Sequence, residues 1–179
     1  NMPNIRVHDK IFKPYISAED IRKKVGELAG MLNRDYKNRH PVFIAILNGS
    51  FIFAADLFRA LTIEAEISFI KLASYKGTKS SGQVISSIGL DTELFGRHVV
   101  IIEDIVDTGK TLNEFMPQLQ HQQPLSLKIV ALLHKPEATL YPMKVDYTGF
   151  EIPDKFVVGY GLDYNGLGRN NAAIYQLLE

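Results

Sequence analysis

Val99-Val100-Ile101-Ile102-Glu103-Asp104-Ile105-Val106-Asp107-Thr108-Gly109-Lys110-Thr111-Leu112 is the stretch on which the reading of this chain turns. Its first four residues are β-branched and apolar in succession. A strand with one wet face alternates apolar with polar residues, so an unbroken run predicts a strand covered on both faces. Two adjacent carboxylates end the run, and a third, Asp107, follows three residues after the second. A small, hydroxyl-rich turn then opens a helix over residues 111–120. Working outward, residues 41–47 and 127–133 are two further apolar runs of strand length, and residues 51–61 return to a helical pattern after Asn48-Gly49-Ser50. Strand, loop, helix and strand at these lengths are βαβ units. The expected fold is α/β, with a mostly parallel central sheet flanked by helices.

Towards the N-terminus, residues 17–36 predict a helix. Ser17 and Asp20 approximate a capping arrangement, and Ile21, Val25, Leu28 and Leu32 share one face. Residues 67–73 predict another strand. Residues 74–82 are polar and small and predict a mobile loop or hairpin end. From Tyr147 onward the pattern changes to short strands and turns. These predict a small hood beside the main sheet, built from about residues 1–15 and 150–179 within one domain spanning 1–179.

The length of 179 residues is about one domain. Twenty Lys and Arg balance twenty Asp and Glu. A generic nucleic-acid binder is usually basic, so no nucleic-acid partner is expected. The absence of cysteine excludes disulfides, thiolate nucleophiles and cysteine-based zinc sites. No pair among the five histidines has the i, i+3 or i+4 spacing of helix-borne metal ligands. No apolar run reaches the ~18 residues of a membrane span, and the first residues lack the apolar core of a signal peptide. A cytoplasmic protein without a membrane partner is the expectation.

In an open α/β sheet, ligands bind beyond the carboxyl ends of the strands. There the backbone N–H groups of residues 108–111, at a helix N-terminus, would cradle a phosphate, and the Thr108 and Thr111 hydroxyls add donors. Gly109-Lys110-Thr111 fits the last three positions of a triphosphate-binding P-loop, but Asp104 occupies the position where that motif needs glycine. Dinucleotide fingerprints starting at Gly159 and Gly166 fail at Tyr164 and Asn171. Carboxylates beside a phosphate site have two physical uses. They accept hydrogen bonds from sugar hydroxyls, and they bind Mg²⁺. One phosphate, vicinal hydroxyls and a Mg²⁺-bound diphosphate together describe 5-phosphoribosyl 1-diphosphate.

The segment from Glu103 to Thr111 resembles the signature of the type I phosphoribosyltransferases. The rest of the chain narrows the resemblance to the hypoxanthine (hypoxanthine-guanine) branch. It rests on Ile46-Leu47-Asn48-Gly49-Ser50-Phe51, on Ser74-Tyr75, and on Glu151-Ile152-Pro153-Asp154-Lys155-Phe156-Val157-Val158-Gly159-Tyr160-Gly161-Leu162-Asp163-Tyr164. The resemblance implies phosphoribosyl transfer from phosphoribosyl diphosphate to N9 of hypoxanthine and guanine. It also implies Mg²⁺ as cofactor and a homodimer or homotetramer.

Residue by residue, it implies that Glu103 and Asp104 hold the ribose hydroxyls and Asp107 handles the proton on purine N7. Thr108, Gly109, Lys110 and Thr111 would bind the 5′-phosphate. Leu47, Asn48 and Gly49 would bind diphosphate through a loop with a non-proline cis peptide, and Arg169 would reach the same group. Lys155 would donate to purine O6, Phe156 would stack on the ring, and Val157 would meet the base edge through its backbone. Asp163, with Glu103 and Asp104, would hold Mg²⁺. Ser74 and Tyr75 would belong to a lid that keeps water from a cation-like transition state. Asn48 stands where many relatives carry a basic residue, which removes a charge from the diphosphate loop. Gly161, Gly166 and Gly168 predict a looser end to the base site.

Taken singly, several of these residues also have plain structural readings. Lys155 reads as a surface lysine, Phe156 as core, and Arg169 as an ion-pair partner. Two further functions stay open at this point: a xanthine-preferring enzyme, and a nucleotide-responsive regulator of the same fold.

Overall fold

The computed structural model describes residues 2–74, 84–88 and 92–179, with the backbone alone at 73, 74 and 84–88. The first helix forms where the capping signal lies. Ser17 Oγ accepts from the Asp20 N–H at 3.0 Å, and α1 (Ala18–Asp35) buries Ile21, Val25, Leu28 and Leu32 along one face. Beyond it come β3 (Val42–Leu47), α2 (Phe51–Arg59), β4 (Glu66–Ser74), β5 (Val84–Ile88), β6 (His98–Val106), α3 (Lys110–His121), β7 (Ser126–His134) and β8 (Tyr147–Glu151).

Among the described residues, six strands make the central sheet in the order β5-β4-β3-β6-β7-β8. All neighbours pair parallel except β4 and β5. The apolar runs are explained by helices on both faces. In β3, Phe43 and Ala45 pack into the core shared with α1 and α2, whereas Val42, Ile44 and Ile46 pack into the core shared with Leu112, Phe115 and Leu119 of α3. Period-two alternation thus serves two apolar layers at once.

Two elements differ from the sequence expectations. The carboxylates do not end their strand: β6 continues through them to Val106, which pairs with His134 of β7. The ladder hydrogen bonds come from the backbone, so polar side chains at the open end of the sheet do not stop it. Residues 147–151 form the last strand of the central sheet rather than part of the hood, because Tyr147 and Phe150 pair with Val130 and Leu133.

The hood is a separate antiparallel sheet. It contains β1 (Ile5–Val7), β2 (Lys10–Ile16), β9 (Val157–Val158) and β10 (Ile174–Leu177) in the order β1-β2-β10-β9. Val7, Phe12, Val158, Ala173 and Tyr175 form its small core. Ser74 is the last residue of β4, and Tyr75 with the rest of the 75–83 segment lies outside the described residues. Among the described residues, no helix is long and apolar enough to cross a membrane.

Candidate active site

Three parallel strands, β3, β6 and β7, end side by side, and their carboxyl ends carry the polar residues. Alternation along β6 separates the adjacent carboxylates. Glu103 lines a pocket of about 100 Å³ with residues 108–111. Asp104 lines a neighbouring cavity of about 230 Å³ with Gly49, Phe156, Val157, Asp163 and Arg169. Asp107 borders both. Burial holds the Glu103 carboxyl well above the usual carboxylate range, and the neighbouring Asp104 adds to this. Burial likewise lifts Asp104 to about 6, with Asp163 contributing in the same direction and Arg169 and backbone N–H groups opposing it.

The turn before α3 is held in a fixed shape. Gly109 precedes α3 at φ +85°, a left-handed conformation that suits glycine, and a Cβ there would come within 2.7 Å of the Tyr141 carbonyl oxygen. The N–H groups of Leu140 and Tyr141 both donate to the Thr108 carbonyl at 3.0 Å, and the Lys110 N–H donates to Thr108 Oγ1 at 3.2 Å. The first N–H groups of α3 therefore open onto a fixed pocket, the geometry that binds an anion.

On the opposite wall, the Leu47–Asn48 peptide is cis, as the resemblance implies. Asn48 is exposed, and neither Asn48 nor Leu47 lines the cavity. Gly49 does, at very close range, since a Cβ on it would overlap the Asp104 carboxylate. The expectation of a looser site fails at Gly161: at φ +100°, its own Cβ would overlap the Gly49 carbonyl. Space is open only beside Gly166, and Gly168 is in ordinary contact with Val158 and Val7. Arg169 Nη1 donates to the Gly161 carbonyl at 2.7 Å, and Nη2 lies 3.4 Å from Asp163 Oδ1. The arginine thus lines the cavity while bracing the tail between Gly161 and Asp163.

Lys155 is not where the resemblance placed it. Its amine pairs with Glu179 at 3.0 Å, its side chain is 45% exposed, and it does not line the cavity. The amine inside is that of Lys135, 6% exposed and 3.6 Å from both Asp107 and Asp154. Its N–H donates to the Val106 carbonyl, which docks the carboxyl end of β7 onto that of β6. Sequence reasoning missed it, although a signal was present. Lys135 follows an apolar strand at the edge where ligands bind, just as the carboxylates do. Phe156 stands 41% exposed on the cavity wall, and Val157 is buried beside it.

Among the described residues, no group of three or more His, Asp or Glu side chains could hold a metal ion by itself. Asp104 and Asp163 nevertheless share the cavity wall, and the charge of Asp163 raises the proton affinity of Asp104. That donor set fits Mg²⁺, which keeps several waters and takes oxygen ligands from substrate phosphates beside one or two carboxylates. Glu103 opens to the other pocket.

The family model for the phosphoribosyl transferase domain matches residues 16–165. The hypoxanthine-guanine phosphoribosyltransferase of Bacillus subtilis is 44% identical over 164 residues, covering 91% of both chains. That of Lactococcus lactis is 42% identical over 161 residues, covering 89% of this chain and 87% of the other. The chain belongs to the hypoxanthine-guanine phosphoribosyltransferase family. A crystal structure of a hypoxanthine phosphoribosyltransferase from Staphylococcus aureus superposes with a TM-score of 0.88 at 39% identity, covering 93% of this chain and 91% of that one.

Proposed function

We propose that this protein transfers the 5-phosphoribosyl group from phosphoribosyl diphosphate to N9 of hypoxanthine and of guanine, releasing diphosphate, in purine salvage. The observation that carries this reading is the joint placement of the Lys135 amine, the Asp107 carboxylate and the Phe156 ring beside the phosphate loop. Phe156 offers its face to a planar base. Lys135 donates to an oxygen at C6, whereas a 6-amino group would meet it donor to donor. Val157 borders the base edge. Residues 108–111 hold the 5′-phosphate, and Glu103 and Asp104 take the ribose hydroxyls from either side of β6.

As N9 bonds to the anomeric carbon, the bond from that carbon to the diphosphate oxygen breaks, and Asp107 accepts the proton that N7 gives up. The sugar passes through a cation-like state, which the surrounding carboxylates stabilise. Mg²⁺, when bound, neutralises charge on the diphosphate leaving group, with Asp163 and Asp104 as the chain's own ligands. Arg169 and the Gly49 backbone supply N–H donors to the same group. An assembly of two or four copies and a cytoplasmic location belong to the same proposal, and light scattering reads the first.

The test is nucleotide formation from hypoxanthine, guanine, xanthine and adenine with Mg²⁺ and phosphoribosyl diphosphate. Product from hypoxanthine and guanine but not adenine is expected, and product from none of the bases overturns the reading. A dominant rate with xanthine would reassign the preference at C2. Asp107→Asn is expected to lower kcat by about 10²-fold, the usual scale for a lost acid–base group, and an unchanged kcat would remove Asp107 from that role. Gly49→Ala is expected to turn the Asp104 carboxylate aside and raise the KM for phosphoribosyl diphosphate by about tenfold, while the KM for the base changes little. Equal changes in both constants would show a general disturbance instead.

A further inference from the structure

Phe156 is the only described aromatic ring on the wall of the base cavity, and little of the backbone around it is regular. It precedes the two-residue strand β9, and its carbonyl accepts one hydrogen bond, from the Leu177 N–H at 2.8 Å. Two rings touch it. Phe12 of the hood lies 6.0 Å away, and Tyr164 meets it edge to face at 5.7 Å and 79°.

Tyr164 is in turn fixed from the N-terminal hairpin, more than 150 residues away in sequence. Its hydroxyl donates to Asp9 Oδ1 at 2.7 Å. The His8 ring meets the Tyr164 ring edge to face at 5.7 Å, and His8 Nε2 lies 3.0 Å from the Asn165 carbonyl. Lys10 Nζ sits 5.9 Å from the centre of the Tyr164 ring. Three consecutive residues, His8, Asp9 and Lys10, thus converge on Tyr164 and its neighbour Asn165, and the Tyr164 ring packs against Phe156.

We propose that Asp9 and Tyr164 are positioning residues for the purine base, acting through the orientation of Phe156. The inference rests on the reading of Phe156 as the stacking residue. A ring already held in its stacking orientation loses less freedom when the base arrives, so the contact strengthens base binding without touching the reacting atoms. Both ring contacts leave Phe156 exposed on the cavity wall.

Steady-state kinetics of the full chain test this, with hypoxanthine and phosphoribosyl diphosphate varied in turn. Asp9→Ala and Tyr164→Phe each raise the KM for hypoxanthine about fivefold, the scale of one typical intramolecular hydrogen bond, with kcat and the KM for phosphoribosyl diphosphate nearly unchanged. The double variant is no worse than either single one, because both remove the same bond. Asp9→Asn, whose amide oxygen still accepts from Tyr164, restores the wild-type constant. An unchanged hypoxanthine KM in Asp9→Ala and Tyr164→Phe overturns the proposal. An equal rise in both substrate constants also overturns it, since Tyr164 would then be a support for neighbouring Asp163. Phe156→Ala separates the two levels of the argument. If it raises the hypoxanthine KM while Asp9→Ala does not, the positioning role fails alone. If Phe156→Ala leaves that constant unaltered, the base site itself is misassigned and the positioning role falls with it.

Discussion

Lys135→Ala is expected to raise the KM for hypoxanthine about a hundredfold, with little change in the KM for phosphoribosyl diphosphate. A hydrogen bond from a charged donor contributes roughly 1.5–3 kcal/mol, and each 1.4 kcal/mol is about tenfold in affinity. Lys135 is placed to supply that donor: its side chain is 6% exposed and its amine lies 3.6 Å from both Asp107 and Asp154. Those carboxylates are themselves well exposed, so the truncated site can hydrate them and the fold survives. Lys155→Ala is the matched control. Its ion pair with Glu179 lies at the surface, where such pairs contribute about 0–1 kcal/mol. A large effect at Lys155 with none at Lys135 would return the base contact to the position that the family resemblance first suggested.

The second large effect is on stability and runs opposite to activity. Asp104→Asn is expected to abolish turnover yet stabilise the fold at pH 8 by up to about 3 kcal/mol, an advantage that shrinks as the pH falls towards 4. The sign follows from burial. Asp104 titrates near 6 in the fold and near its ordinary value of 3.8 when unfolded. Below pH 3.8 it is neutral in both states and costs nothing. As the pH rises from there through 6, the unfolded chain ionises freely while the fold holds a carboxylate in a poorly hydrated cavity beside Asp163. The stability linked to its proton is therefore lost across that window. An amide of the same shape has no such dependence. Urea midpoints of both proteins between pH 4 and 8 check this, and a constant difference across the range would refute it. Glu103, displaced in the same direction, adds to the wild-type slope. Charges held partly out of water are a common cost of catalytic sites.

Much of the architecture could be read from short-range pattern. The capped, amphipathic α1 came from Ser17, Asp20 and the spacing of Ile21, Val25, Leu28 and Leu32, because helix ends and faces are local properties. The doubly covered strands came from apolar runs, because only a strand between two helical layers tolerates them. The phosphate loop was legible because glycine, hydroxyl and helix-start signals fall within four consecutive residues. The pieces that misled were those whose identity depends on a distant neighbour. Residues 147–151 read as part of the hood because nothing local says that their partner is β7. Gly161 read as looseness because the carbonyl that fills its missing Cβ belongs to Gly49, far off in sequence.

The sequence by itself determined the fold class, the anion-binding turn and the carboxylates that face it, because each rests on residues within one element or its cap. Only the tertiary structure decided which lysine enters the base cavity. Lys155 carries the more recognisable motif, but the terminal segment draws its amine to Glu179. Lys135 carries no motif and gains its place because β6 and β7 pair in parallel up to Val106 and His134, which sets the next residue beside Asp107. A side chain's local surroundings are written along the chain. Its partners across a sheet are set by register, and register emerges only when the whole sheet has packed.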